Sequence, residues 1–367
     1  MTKHGDHPAW TGRAGTAAGP LTRLPQRGHG SVRRTATLDA APDGSWEAGW
    51  ILTGIARDLL TDHDGGSHVL AQVEISARIG ARGELRELDI PTSPEVVGGL
   101  LGRDARRGFR AALMNLPASL RASLEGALLD DLPGLGIVSG YARLRAGRIA
   151  ASSAGAGNRH PQIGTCAGWA PGGSAARLVA EHDIADPSRL RDRPAAIPLA
   201  EMTDPAGWHE EPPIRPGAVR RRRLLEVALG EDGPIYGYFR DSYGEPEGGE
   251  SALHEYELHA LARGTPPVLA SVRAVPRPLP FAECPLAAEN VVRLEGVALA
   301  EIDRAVRTTL TGVDGCTHLN DLLRTLRFVE PLRRTVASQR GVGRTANGPA
   351  PAPPPDGRYP GRGSADG

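Results

Sequence analysis

The feature that most constrains this fold is an approximate internal repeat. Residues 54–77 (GIARDLLTDHDGGSHVLAQVEISA) align without a gap over residues 237–260 (GYFRDSYGEPEGGESALHEYELHA). Gly54, Arg57, Asp58, Gly65, Gly66, Glu74 and Ala77 then fall on Gly237, Arg240, Asp241, Gly248, Gly249, Glu257 and Ala260. Upstream, RRTATLDAAPDG at 33–44 resembles RRRRLLEVALGEDG at 220–233, with short gaps. Downstream, each copy runs into a strand-like segment closed by Pro91 or Pro276, then an arginine-flanked helical segment. Coincidence in a glycine-rich chain is the alternative, but the shared order of motifs and elements favours duplication.

Hydrophobic period assigns the element types. ATLDA and LLEVA alternate briefly, while HVLAQVEISARI and HEYELHALA alternate for longer, as strands with one buried face do. The DGG and EPEGG turns before the longer runs predict a hairpin in each half. Segments 103–113 and 300–310 space Phe109, Ala112 and Leu113, and Ile302, Val306 and Leu310, as helices do. The expected class is α+β, with two duplicated halves of antiparallel strands and packed helices.

Composition sets the boundaries. The chain has 47 Gly and 32 Pro, unevenly spread. Residues 1–30 lack periodicity and read as a disordered arm, and 31–150 form the first half. Residues 151–213, opening on a soft glycine-rich stretch with His160 and Cys166, read as a connection. Residues 214–330 form the second half, and 331–367 a short helix end followed by a disordered Pro/Gly-rich tail from about Gly341. WHEEPP at 208–213 reads as a rigid connector with an aromatic anchor.

Charge and cysteine usage exclude several functions. The 43 basic and 43 acidic side chains cancel, which argues against a nucleic-acid partner; the arginine run 220–223 is too short to change that. No apolar window is long enough to span a membrane, and the polar N-terminus does not read as a signal peptide. Three cysteines point to a reducing, cytoplasmic setting. Lys3 is the only lysine, a bias explained by coding composition or by selection for two-pronged carboxylate recognition. No Gly-rich dinucleotide or phosphate-binding motif occurs.

The chemistry-bearing residues concentrate in the second half. In GCTHLNDLLRTL (315–326) the leucine stripe starts a helix near 318, with Thr317 as its cap and Cys316 just outside. The helix dipole there favours a thiolate on Cys316, close to His318 and Asp321. The plain alternative is a packed cysteine and a solvent-facing histidine. In HEYELH (254–259), alternation puts His254 and Tyr256 on one face and Glu255 and Glu257 on the other. His254 falls where the first half has Ala71, as expected if one half alone kept a site. FAECPLA adds Cys284. Arg240–Asp241, repeated as Arg57–Asp58, reads as a structural ion pair or strand-end contact, and Asp130–Asp131 as the end of a helix or the start of a turn.

At HEYELHA, ECPLA, FRDS and GCTHLNDLL the chain resembles the bacterial domain-of-unknown-function 2889 family, over roughly residues 30–330. The matching positions are Arg240, Asp241, His254, Glu255, Tyr256, Cys284, Cys316, Thr317, His318, Asn320 and Asp321. WHEEPP and RRRR resemble elements of its longer actinobacterial members. The resemblance implies no particular reaction.

Together these residues predict a Cys/His pocket in the second half. As a catalytic site it would use Cys316 with His318 or His254 as base and Asp321 or Glu255 as orienter. As a metal site it would place zinc on Cys284, Cys316, His318 and His254, although their spacing is poor for zinc. The competing expectation is a non-enzymatic small-molecule-binding or accessory protein with a structural Cys/His cluster. Homodimerisation through helices or sheet edges is a further expected partnership.

Overall fold

The computed structural model describes residues 13–145, 161–181, 193–202, 204–230 and 232–345. Among the described residues, eight antiparallel strands form one sheet: β1 (Ser31–Asp43), β2 (Ser45–Thr61), β3 (Ser67–Gly80), β4 (Leu85–Asp89), β5 (Val219–Ala228), β6 (Pro234–Gly244), β7 (Glu250–Arg263) and β8 (Val268–Pro276). Their spatial order is β4-β3-β2-β1-β5-β6-β7-β8, so two similar four-strand segments meet at a central β1–β5 seam. The predicted hairpins are β2–β3 and β6–β7, and each carries a register shift at the same place, after Asp58 and after Asp241. The architecture is mixed α+β.

Helices cover one face. The first segment supplies α1 (Phe109–Leu113), α2 (Ala118–Ala122) and α3 (Leu124–Arg145). Between the segments lie α4 (Ser174–Glu181) and α5 (Leu199–Met202); the second segment supplies α6 (Ile302–Thr309), α7 (Thr317–Arg324) and α8 (Val329–Thr345). Leu38, Leu52 and Ile75 pack with Leu128 and Leu132 of α3, while Phe239, Tyr256 and Leu258 pack with Leu319, Leu322 and Leu323 of α7. No helix among the described residues is long and apolar enough to cross a membrane.

The other face is covered mainly by extended chain and the short helix α5. Leu21, Leu24, Leu199, Met202 and Trp208 close over Leu224 and Tyr238. Residues 13–30 therefore run extended against the body, with Arg13 on Glu289 and the Gly15 amide donating to the Ala282 carbonyl. His160 and the Pro/Gly-rich tail beyond 345 lie outside the described residues.

Two local expectations are corrected. Asp130 and Asp131 sit inside α3, not at a helix end, even though Pro133 and Gly134 follow them. Arg240 and Asp241 do not pair with each other, because neighbours on a strand face opposite sides. Asp241 instead accepts both prongs of Arg221 at 2.8 and 2.9 Å, and Asp58 both prongs of Arg34 at 2.8 Å each. Arg240 binds Glu255 on the far face.

Candidate metal centre

The register of β6 and β7 sets Asp241 opposite His254. The first turn of α7 lowers His318 onto them, its backbone start fixed by Cys316 in an extended conformation at the N-cap. Asp241 is fully buried, His318 is buried and His254 partly so. One donor atom from each lies within 4.8 Å of the other two. His318 Nε2 stands 3.5 Å from Asp241 Oδ2, and the two imidazoles stack with centroids 3.5 Å apart and planes 15° apart.

Both rings are held neutral. Burial pushes the His318 pKa down to about 3, aided by the Arg221 charge. Burial, then His318, Arg193 and Arg221, holds His254 well below the usual imidazole range. His254 Nδ1 and His318 Nε2 are enclosed and have no hydrogen-bond partner. Buried polar atoms are normally satisfied, so two such nitrogens, one of them 3.5 Å from a carboxylate oxygen, need an explanation.

Arg221 locks the carboxylate from behind. Its guanidinium also meets Asp321 at 2.8 Å and Asp131 at 3.5 Å, and it lies over the Phe239 ring. Burial alone would lower the Arg221 pKa, but these three carboxylates raise it instead. For Asp241 the burial effect wins over Arg221 and raises the pKa. Gly134 of α3 leaves room for this crossing, since a Cβ there would come within 1.8 Å of Arg221 Nη1. Asp321 also accepts from Arg110 at 2.7 Å, so the site is wired to α1.

Residues 219–330 match the model of a family described as "Protein of unknown function (DUF2889)". The match begins at β5, so it contains Arg221, Asp241, His254 and His318. Comparison with curated proteins and with solved structures gave no match in either set.

The expected Cys/His pocket is corrected by this geometry. The donors that converge are one aspartate and two histidines, and among the described residues no cysteine joins them. On His318, Cys316 Sγ contacts Nδ1 at 3.8 Å and not the Nε2 that approaches Asp241. All three cysteines instead act electrostatically on Tyr256, whose hydroxyl interacts with Cys316. Nor is Cys316 a thiolate: burial outweighs the helix start and pushes its thiol up to about 11, and raises Cys284 and Cys166 as well. Of the other site candidates, Asp321 sits one arginine away from Asp241, and Glu255 lies on the opposite face with Tyr238 and Arg240.

Proposed function

We propose that Asp241, His254 and His318 bind one divalent transition-metal ion of the zinc class. The observation that carries this reading is the convergence of one donor atom from each of the three residues within 4.8 Å, beside two enclosed imidazole nitrogens that have no hydrogen-bond partner. Neutral imidazole is the form a metal takes, and no proton need be displaced from either ring at neutral pH. Two histidines and one carboxylate supply three protein ligands, the set of zinc centres that keep a coordination position open and of non-haem Fe(II) centres. Arg221 would then serve as the outer partner that orients the carboxylate. Donors on a common tetrahedral ion stand about 3.3 Å apart, so binding draws the three together and turns one ring out of its stack. Partial exposure of His254 leaves that ring the freedom to turn.

We also read the two segments as a duplication. Matching register shifts, and the Arg34–Asp58 pair echoing Arg221–Asp241, support it. Ala71 stands opposite Asp58 where His254 stands opposite Asp241, so the first copy lacks a ligand. The longer actinobacterial type fits the arginine run and the 208–213 segment, which Glu211 ties together by binding Arg220 and Arg222. The buried free thiols suit a cytoplasmic setting.

Metal analysis of protein purified without chelator tests the site. About one equivalent per chain is expected, lost in His318→Ala and Asp241→Asn. Asp58→Asn breaks the corresponding pair in the first segment at a similar cost of about 3–5 kcal/mol, yet keeps the metal. The rival is a metal-free polar core closed by the stacked rings, favoured by their 3.5 Å separation. Wild-type protein without metal, whose Tm is indifferent to added zinc and to chelator, would establish that rival.

A further inference from the structure

A second site lies on the helix-covered side, where the first segment's α1 and α2 face the second segment's α6 and α8. Here a cavity of about 470 Å³ opens to solvent. That volume is in the range of small-molecule pockets. Seven arginines and four carboxylates line it, a surplus of three positive charges in a chain whose total charge is zero.

Most of these arginines are already engaged. Arg324 and Arg327 bind Asp130 and Asp303 in the floor. Arg304 and Arg334 hold exposed pairs with Glu301 and Glu330 at the rim, contacts that water and salt weaken readily, and Arg307 reaches from the rim down to Asp303. Arg121 differs. It meets no carboxylate among the described residues, its enclosed Nε has no acceptor, and its one polar contact is Met114 Sδ at 3.6 Å. A guanidinium presents a fork of donors matched to a carboxylate or phosphate.

The remaining wall is apolar. Leu113, Met114, Leu116, Leu299, Phe328 and Pro331 border the same space, and Met114 is 52% exposed. A large exposed apolar side chain beside an unpaired guanidinium suits a ligand with a charged head and a hydrocarbon body. From this juxtaposition we infer that the cleft binds a small organic dianion, such as a phosphate monoester of a short hydrocarbon chain, with Arg121 on its head and Met114 along its body. The surplus of three positive charges selects a dianion over a monoanion. This site uses none of the three proposed metal ligands.

Titration calorimetry on the full chain tests it with hexyl phosphate, inorganic phosphate and hexanol. Hexyl phosphate should bind at least about tenfold more tightly than either of the others. Arg121→Gln should weaken it by roughly tenfold or more, and Met114→Ser by several-fold. Arg78→Gln, at an exposed arginine of β3, should leave it unchanged. Both replaced cleft side chains are partly or largely exposed, so thermal melts should stay near wild type. Equal binding of inorganic phosphate would show that an adventitious anion is all the cleft holds. Equal binding of hexanol, or an affinity indifferent to Arg121→Gln, would overturn the inference as well.

Discussion

Nine arginine side chains are buried among the described residues, and eight of them meet a carboxylate. Several contacts are two-pronged, as in Arg34–Asp58, Arg220–Asp39 and Arg221–Asp241, a geometry that lysine cannot reproduce. Such pairs add little net stability over apolar residues of the same size, but losing one partner is costly. Buried histidine is a separate liability. His209 is 3% exposed and sits between Thr35 and Thr37, with ring nitrogens 2.8 and 2.9 Å from their hydroxyls. Burial pushes its pKa down to about 4; Glu211 opposes this, while Arg57, Arg222 and Arg220 reinforce it. Between about pH 6.5 and pH 4 the unfolded chain therefore carries a proton on this ring that the folded chain does not. Stability from this group is complete above pH 6.5 and declines as pH falls to 4, by about 3 kcal/mol. His209→Gln should flatten the acid limb of urea-denaturation stability against pH by a comparable amount. An unchanged slope would mean that the ring is already charged in the folded protein.

At the scale of elements, both helix-to-sheet contacts depend on a repeated glycine. A Cβ on Gly54 would lie 2.8 Å from Leu38 Cδ1 and 3.2 Å from Leu128 Cδ2 of α3. One on Gly237 would lie 3.1 Å from Leu258 Cβ and 3.2 Å from Leu322 Cδ1 of α7. Alanine at either place should cost about 1–3 kcal/mol in chemical denaturation, by forcing the helix off the sheet. The consequences for the metal should differ, since α7 carries His318 and α3 carries no ligand. Gly237→Ala should lower metal occupancy and Gly54→Ala should not; equal loss would mean that the two helices move as one. These glycines were visible in the sequence as repeat positions, as were the hairpins, whose period-two pattern and turns are local. The helix α3 was not, because Asp130, Asp131, Pro133 and Gly134 oppose a helix locally. Arg110, Arg223 and Arg324 hold those aspartates from distant elements. The site was half legible. His254 and His318 stood out as polar groups on apolar elements, whereas Asp241 was hidden by its neighbour Arg240, which faces the other way. The thiolate expected of Cys316 failed because burial, which sequence does not report, outweighs the helix start.

For the whole molecule, the family match and the physical unit do not coincide. The matched segment opens at β5, yet β5 is a central strand whose other edge pairs with β1 from Ser31↔Ala228 to Ala40↔Val219. Cutting there would expose a ten-residue edge and four arginines that are buried in the intact chain. On the helix side Arg223 would lose Asp131, and Asp321 would lose Arg110. On the other side Arg220 would lose Asp39, and Glu226 would lose Arg33. Asp321 keeps Arg221, but each of the other losses leaves a charge that was paired in the interior without that partner, at about 3–5 kcal/mol apiece, against a total domain stability of about 5–15 kcal/mol. Residues 214–345 produced alone should therefore show no cooperative thermal transition as a monomer and should bind metal weakly. Mixing with a separately produced 1–213 fragment should restore both, through the β1–β5 seam and the α3 contacts. A monomeric 214–345 fragment that melts cooperatively and holds a full equivalent of metal would show instead that the second segment carries its own stability and that the seam joins two independent folding units.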